Sequence, residues 1–198
     1  MFSIRDSSSI DEQRLVKRLR NGENGAMREF YTLYADHLTA VGSRYIVDKD
    51  DLKDVFQDAL INILSHIPAF EYRGPGSLKA WASRIMVNKA LDYLKAKQHK
   101  DLMLIEADVA EEPDGGVADE EPFTLSDIPP DVIQQMVKSL ATGYRTVFNL
   151  YVFENKSHSE ISRLLGIKES TSSSQYNKAK ALLANMIRQY INKEQQSR

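Results

Sequence analysis

Between Asp101 and Ser126 the chain carries a dense series of Asp and Glu, the helix breakers Pro113, Gly115, Gly116 and Pro122, and neither Lys nor Arg. Such a segment has too little apolar surface to offset the entropy of ordering it, so it reads as a self-repelling, extended linker. A chain of 198 residues interrupted in this way cannot share one core from end to end. It must build two. The expected division is a first domain over 1–98, an acidic linker over 99–128, and a second domain over 129–198. One helical turn at Leu102–Ile105 fits inside the linker.

The two flanks are helical by their spacing. Ser9 and Glu12 have the S-x-x-E spacing of a capping box opening a helix, with Leu15, Val16 and Leu19 on one face and Asn21-Gly22 at its end. A longer helix follows, its stripe running through Met27, Phe30, Tyr31, Tyr34, Leu38, Val41 and Tyr45. Asp48 can cap a third, whose apolar face is Leu52, Val55, Phe56, Ala59, Leu60, Ile63, Leu64 and Ile67, and Pro68 stops it. Residues 71–76 form a Gly/Pro loop. Ser77 then caps a helix to about Lys97, with Leu78, Trp81, Ile85, Leu91 and Leu94 inward. Beyond the linker, Pro130 suits a first helical turn. Val132, Ile133, Met136, Val137 and Leu140 make one stripe, and Tyr144, Val147, Phe148 and Tyr151 the next. No segment alternates with period two, so the fold class is all-α, two small helical domains joined by a flexible linker.

The segment Ser157–Leu183 has the layout of a helix-turn-helix. A short amphipathic helix ends at Gly166, and a second begins near Ser170 with Tyr176, Ala179, Leu182 and Leu183 facing inward. The second helix of such a motif can enter the major groove of DNA. Its exposed face is expected to hold Thr171, Ser172, Ser173, Gln175, Lys178 and Lys180, all hydrogen-bond donors. Net charge is only −2, but the charge is segregated. The basic stretches 79–100 and 163–193 flank the acidic one, so local positive patches are compatible with a near-neutral total.

Three stretches together resemble a known family. Asp54, Gln57 and Asp58 fit a D-x-x-Q-[DE] pattern. Trp81, Arg84, Ile85, Asn88 and Asp92 fit W-x-x-R-I-x-x-N-x-x-x-D. Glu160, Ile161, Leu165, Gly166, Ile167 and Thr171 fit the helix-turn-helix pattern E-I-A-x-x-L-G-I-x-x-G-T. In this order, and divided by a linker, they resemble the two-domain bacterial sigma factors of the extracytoplasmic-function group, over nearly all of Gln13–Tyr190. The chain departs from the family at Ser162 (usually Ala), Ser170 (often Gly), Ser172 (usually Val), Lys178 (usually Arg) and at Leu52-Lys53.

The resemblance implies an all-α sigma region 2 domain over 1–98, binding core RNA polymerase and melting the minus-ten element. It implies a region 4 domain over 129–198, reading the minus-thirty-five element as duplex. It places Asp51, Asp54, Gln57 and Asp58 against the polymerase clamp coiled coil. It assigns Tyr72, Arg73, Lys79, Arg84, Asn88, Lys89, Lys95 and Lys97 to minus-ten DNA, and Ser170, Thr171, Ser172, Ser173, Gln175, Lys178 and Lys180 to minus-thirty-five DNA. The implied partners are core polymerase through its clamp and flap, promoter DNA, and an anti-sigma factor. The acidic linker can serve as a tether, mimic nucleic acid in the RNA exit path, or cover the basic faces of the free protein.

The remaining composition narrows the field. There is no cysteine, which removes disulfides and thiolate metal sites and fits a reducing cytosol. His37, His66, His99 and His158 lack metal-ligand spacing. No phosphate-cradling Gly loop or Ser/His/Asp set stands out. The expectation is therefore no enzyme, no metal, no cofactor, no membrane insertion, and a cytoplasmic location. Two rivals stay open on the residues alone: a repressor or activator using only the second domain, and a helical adaptor with no DNA role. The first leaves the patterns at 54–58 and 81–92 unexplained, and the basic helix after Gly166 argues against the second.

Overall fold

Asp48 behaves as the sequence predicts. Its Oδ1 accepts from the backbone N–H of Asp50 (3.0 Å) and Asp51 (2.9 Å), which starts a helix at Lys49. The computed structural model describes residues 5–98 and 128–196, and the acidic stretch with its expected turn at Leu102–Ile105 lies outside the described residues. Among those described there are eight α-helices, one 3-10 turn and no strand. They are α1 (Arg5–Arg20), α2 (Asn24–Gly42), α3 (Lys49–His66), α4 (Ser77–Gln98), α5 (Pro130–Ser139), α6 (Thr142–Val152), α7 (His158–Leu165) and α8 (Glu169–Gln196). The chain divides into two units, Met1–Leu94 and Lys95–Arg198.

In the first unit, Leu15, Val16 and Leu19 of α1 are buried together with Phe30, Leu38 and Val41 of α2 and Val55, Ala59 and Ile63 of α3. From α4 the buried set is Leu78, Ala82, Met86, Val87, Ala90, Leu91 and Leu94. Trp81 is half-buried, its ring 4.8 Å from that of Phe70. α2 and α4 approach closely at Gly42, where an added Cβ would meet the Met86 methyl at 2.2 Å. Pro68 ends α3 as expected, as the first-turn proline of the 3-10 turn Ile67–Ala69. Burial corrects the expected α2 stripe. Met27 and Tyr31 face outward, and Tyr45 lies beyond the end of the helix although fully buried. Ala26, which the stripe omitted, is buried in their place.

Two capping assignments are also corrected. Helix α1 begins at Arg5, so position 9 falls inside it and not at its cap. Glu12, the expected partner of Ser9, turns its carboxylate to another helix. Its Oε2 accepts from the N–H of Gly76 (2.7 Å) and its Oε1 from that of Leu78 (3.1 Å), at the start of α4. Ser77, expected as the cap of α4, is its first residue, and its Oγ accepts instead from the N–H of Arg73 (3.3 Å). A long-range carboxylate thus takes the place of a local hydroxyl. Hydrogen bonds to a charged group contribute about 1.5–3 kcal/mol each, roughly twice a neutral one.

In the second unit, Val137, Leu140, Ala179 and Leu183 form one core cluster, with Met136, Tyr144, Phe148, Leu182 and Met186 packed against it, and Val147, Leu150 and Ile161 are buried as well. Pro130 occupies the first turn of α5, as predicted. The buried Arg145 of α6 donates from Nη1 to the carbonyls of Lys138 (3.1 Å) and Leu140 (2.7 Å), satisfying the end of α5.

The S-x-x-E pattern does form a capping box once, at Ser157. The Ser157 Oγ accepts from the Glu160 N–H (3.2 Å), and Glu160 accepts from the Ser157 N–H (2.9 Å). That backbone hydrogen bond, followed by Lys156 and the Ser157 hydroxyl, holds the Glu160 carboxyl down at about 2, against 4.5 for a free group. A group whose folded pKa is depressed favours the folded state in its ionised form. Its contribution is complete above about pH 4.5 and lost as pH falls towards 2. Acid unfolding of the second unit, followed by α-helical circular dichroism, should therefore include a component in that window. In Glu160→Gln the component should be missing; an unchanged acid profile would contradict this role.

Candidate nucleic-acid and polymerase interfaces

Helix α3 presents Asp54, Gln57 and Asp58 to solvent, with Asp51 half-buried one turn before Asp54. Asp54 and Asp58 are four apart and so neighbour each other on the helix surface. Tyr31 of α2 is half exposed and meets the Phe56 ring edge-on, with centroids 6.0 Å apart. Ile61 is 64% exposed. Sequence reasoning placed Tyr31 and Phe56 in the core. The structure makes Tyr31 part of the outer surface of the α2–α3 pair.

On α4, Arg84, Asn88 and Asp92 are exposed at successive steps of four, a single row along the helix. Lys79, Lys95 and Lys97 are exposed too, while Lys89 is half-buried on another side. The loop before α4 carries a half-buried Tyr72 and an exposed Arg73, and Arg73 pairs with Glu71 at 3.2 Å. Burial, then the nearby charge of Glu12, raises the Tyr72 phenol above its ordinary pKa, so it stays protonated. His37 shares a hydrogen bond with the Ser83 hydroxyl (2.9 Å) beside this row. Burial, then the charges of Lys79 and Arg44, pushes its imidazole below the usual value, so it stays neutral at pH 7. The row thus carries a guanidinium at Arg84, an amide at Asn88 and a carboxylate at Asp92, with the neutral imidazole of His37 beside it.

The turn between α7 and α8 depends on Gly166, the left-handed C-terminal residue (φ +71°) that glycine adopts without Cβ strain. The N–H groups of Gly166 (2.9 Å) and Ile167 (3.1 Å) both reach the Ser162 carbonyl. Helix α8 then starts at Glu169, and two residues expected on its exposed face are not there. Ser172 is 0% exposed and its Oγ is 3.0 Å from His158 Nδ1; Gln175 is 8% exposed. Positions 172, 175 and 179 share one side of the helix, and Ala179 belongs to the core, so they turn inward together. The exposed row consists of Ser170, Ser174, Asn177 and Lys180, with Thr171, Ser173 and Lys178 at its margins. Ser174 and Asn177 were missed by sequence reasoning. The step from Ser170 by four and then three gives them, once the inward side is fixed by Ala179 and Leu183.

An aromatic cluster supports this helix. The Tyr176 ring centroid lies 4.3 Å from that of Tyr151 and 6.2 Å from that of Phe148, and His158 stacks on Tyr151 at 4.7 Å. Lys178 Nζ sits 5.7 Å from the Tyr144 ring centroid, and Lys180 Nζ 5.4 Å from that of Tyr176. Both cations lie over ring faces, where the ring quadrupole attracts them. Removing the Ser172 hydroxyl strands a partly buried imidazole nitrogen. Ser172→Ala should therefore lower the stability of the second unit by about 1–3 kcal/mol, the cost of an unsatisfied polar group. Urea titration of the second unit's unfolding would measure it, and no change would remove the His158–Ser172 bond from its support.

Both halves of the chain match families of known proteins. A family model of Sigma-70 region 2 matches residues 30–100, and one of Sigma-70, region 4, matches residues 131–183. The ECF RNA polymerase sigma-E factor of Escherichia coli (strain K12) is 27% identical over 193 residues, covering 93% of this chain and 98% of that protein. Its counterpart in Haemophilus influenzae is 26% identical over 190 residues, covering 91% and 97%. Among solved structures, CnrH in complex with the cytosolic domain of CnrY is 19% identical with a TM-score of 0.45, covering 87% of this chain and 94% of that one. RpoE in complex with the anti-sigma factor NepR from Bartonella quintana is 18% identical with a TM-score of 0.44, covering 81% and 96%. With region 2 matched in the first unit and region 4 in the second, the chain belongs to the extracytoplasmic-function group of the sigma-70 family and is a promoter-directing sigma factor of RNA polymerase.

Proposed function

We propose that the first unit binds core polymerase through α3 and opens the minus-ten element with α4 and its preceding loop, while α8 reads the minus-thirty-five element as duplex. The observation that carries this reading is the exposed Arg84–Asn88 row, with Tyr72 and Arg73 in the loop that leads into it. Melting costs about 1.4 kcal/mol of stacking per base-pair step. A protein offsets that by holding an extruded base against an aromatic face and hydrogen-bonding its edge. Asn88 offers paired donor and acceptor groups to a base edge, Tyr72 a ring face, and Arg73, Lys79, Arg84, Lys95 and Lys97 charges for phosphates.

The acidic and amide surface of Asp51, Asp54, Gln57 and Asp58 suits a basic clamp coiled coil, with Tyr31 adding apolar area beside it. In the second unit, Ser170, Ser174 and Asn177 are the groups presented to base edges, and Lys178 and Lys180 the phosphate contacts. Ser172 and Gln175 act from behind, by fixing the helix. An anti-sigma factor is the remaining partner in this reading, competing with polymerase for the free protein. A repressor would use α5–α8 alone and leave the surfaces of α3 and α4 without a role.

Two variants test the first unit. Asp54→Lys with Asp58→Lys should abolish capture by core polymerase while the circular dichroism spectrum is unchanged; retained capture would refute the α3 assignment. Asn88→Ala should weaken promoter opening by about 1–3 kcal/mol, the range for a good base contact. Permanganate reactivity of unpaired thymines would report it, and an unaltered open-complex yield would move the pocket elsewhere.

A further inference from the structure

Helix α1 holds the loop before α4 at both of its ends. At the start, Arg20 donates from Nε to the Ile67 carbonyl (3.5 Å) and from Nη2 to the Phe70 carbonyl. At the finish, Glu12 accepts from the N–H groups of Gly76 (2.7 Å) and Leu78 (3.1 Å). Between these anchors lie residues 71–75, with Tyr72 and Arg73 among them. Glu12 and Arg20 are eight positions apart, about 12 Å of helix at 1.5 Å per residue. The two anchors therefore fix the span of the loop as well as its ends.

The chemistry of each anchor matches its task. Carbonyls at a 3-10 terminus need donors, and a guanidinium supplies several in a fixed fork. Amides at a helix N-terminus need an acceptor and favour an anion, which Glu12 provides. Glu12 is only 7% exposed, so solvent does not substitute for it. The Tyr34 hydroxyl donates to Glu12 Oε1 (3.4 Å), and burial together with the Glu12 charge pushes that phenol up to about 12, so it remains a donor. With the α4 N-terminus already occupied by a carboxylate, a DNA phosphate is directed away from the helix tip and towards its side, where Arg84 and Asn88 stand.

We infer that Glu12 and Arg20 are positioning residues for promoter opening, and that α1 serves as the brace that presents Tyr72 and Arg73 to the extruded strand. Neither residue lies in the stretch matched to region 2, which starts at residue 30. The inference rests on the proposed opening role of the loop and adds its mechanical support. A loop released at either end samples more conformations, and the bound one must then be selected at each opening event. Binding to polymerase uses the opposite resource, the α3 surface, and does not depend on the loop.

The test compares wild type with Glu12→Gln, Arg20→Gln and the double variant, each reconstituted with core polymerase. Thermal unfolding of the free proteins selects those that are folded, and the exposed Arg20 makes its single variant the safe one. Holoenzyme formation should stay within about twofold, while open-complex formation on duplex promoter falls about tenfold or more, the loss of one charge-assisted hydrogen bond. On the same promoter with a pre-opened bubble, the defect should shrink to about twofold, because the melting cost has been removed. Duplex opening at the wild-type level in the folded variants would overturn the inference. So would a defect of equal size on the bubble template, which would signal general damage. A wild-type holoenzyme that opens no promoter would instead sink the proposed function itself, and the brace with it.

Discussion

The carboxylate of Glu12 is the interaction on which the geometry of the first unit turns. Helix α4 begins in a loop containing Gly74 (φ +119°) and Gly76 (φ +81°), which offers little conformational restraint of its own. Its first amides need an acceptor, and its own Ser77 hydroxyl is directed to Arg73. Glu12 supplies the acceptor from a different helix, and in doing so fixes where α4 starts. Everything downstream on that helix follows from this register: Leu78, Ala82 and Met86 turn inward, and Arg84 and Asn88 turn outward. The exposed row proposed to meet DNA and the buried row that packs in the core are two faces of one placement.

The second unit solves the same problem by local means. Ser157 and Glu160 cap α7 reciprocally, Gly166 ends it, and α8 begins three residues later. Helix α8 is then held from behind by polar contacts. His158 stacks on Tyr151 and bonds Ser172, and Tyr176 packs among the rings of Phe148 and Tyr151. A polar pair at the back of a helix fixes its rotation by direction as well as by volume, since a hydrogen bond is angular where apolar packing is not. The rotation decides which side chains of α8 face outward.

What the sequence made legible was whatever depends on neighbours along the chain. Asp48, Pro68, Pro130 and Gly166 each act within a turn of their own position, and each does what its side chain dictates. The S-x-x-E pattern marks the limit of that reasoning. It occurs at Ser9 and at Ser157, and only the second is a cap. The partner of Glu12 is 64 residues away, and no local rule points to it. Ser172 and Gln175 failed for a different reason. Their spacing with Ala179 and Leu183 marks the inward side, but their polarity suggests the outward one. Ser172 satisfies its hydroxyl internally on His158, a contact across 14 residues that becomes visible only once the two helices meet. Tyr31 and Met27 differ the other way, as apolar residues of the expected stripe that lie on the surface.

In the proposed division of labour, the first unit grips and opens while the second finds the address, with a different helix for each task. The direct measurement is transcription by core RNA polymerase, freed of other sigma factors and supplied with this protein and a pool of random duplex DNA, with the 5′ ends of all transcripts sequenced. The account requires starts clustered at a fixed distance downstream of two shared sequence elements, one spacer apart. Starts scattered without shared upstream sequence, or no transcripts above those of core polymerase alone, would contradict it.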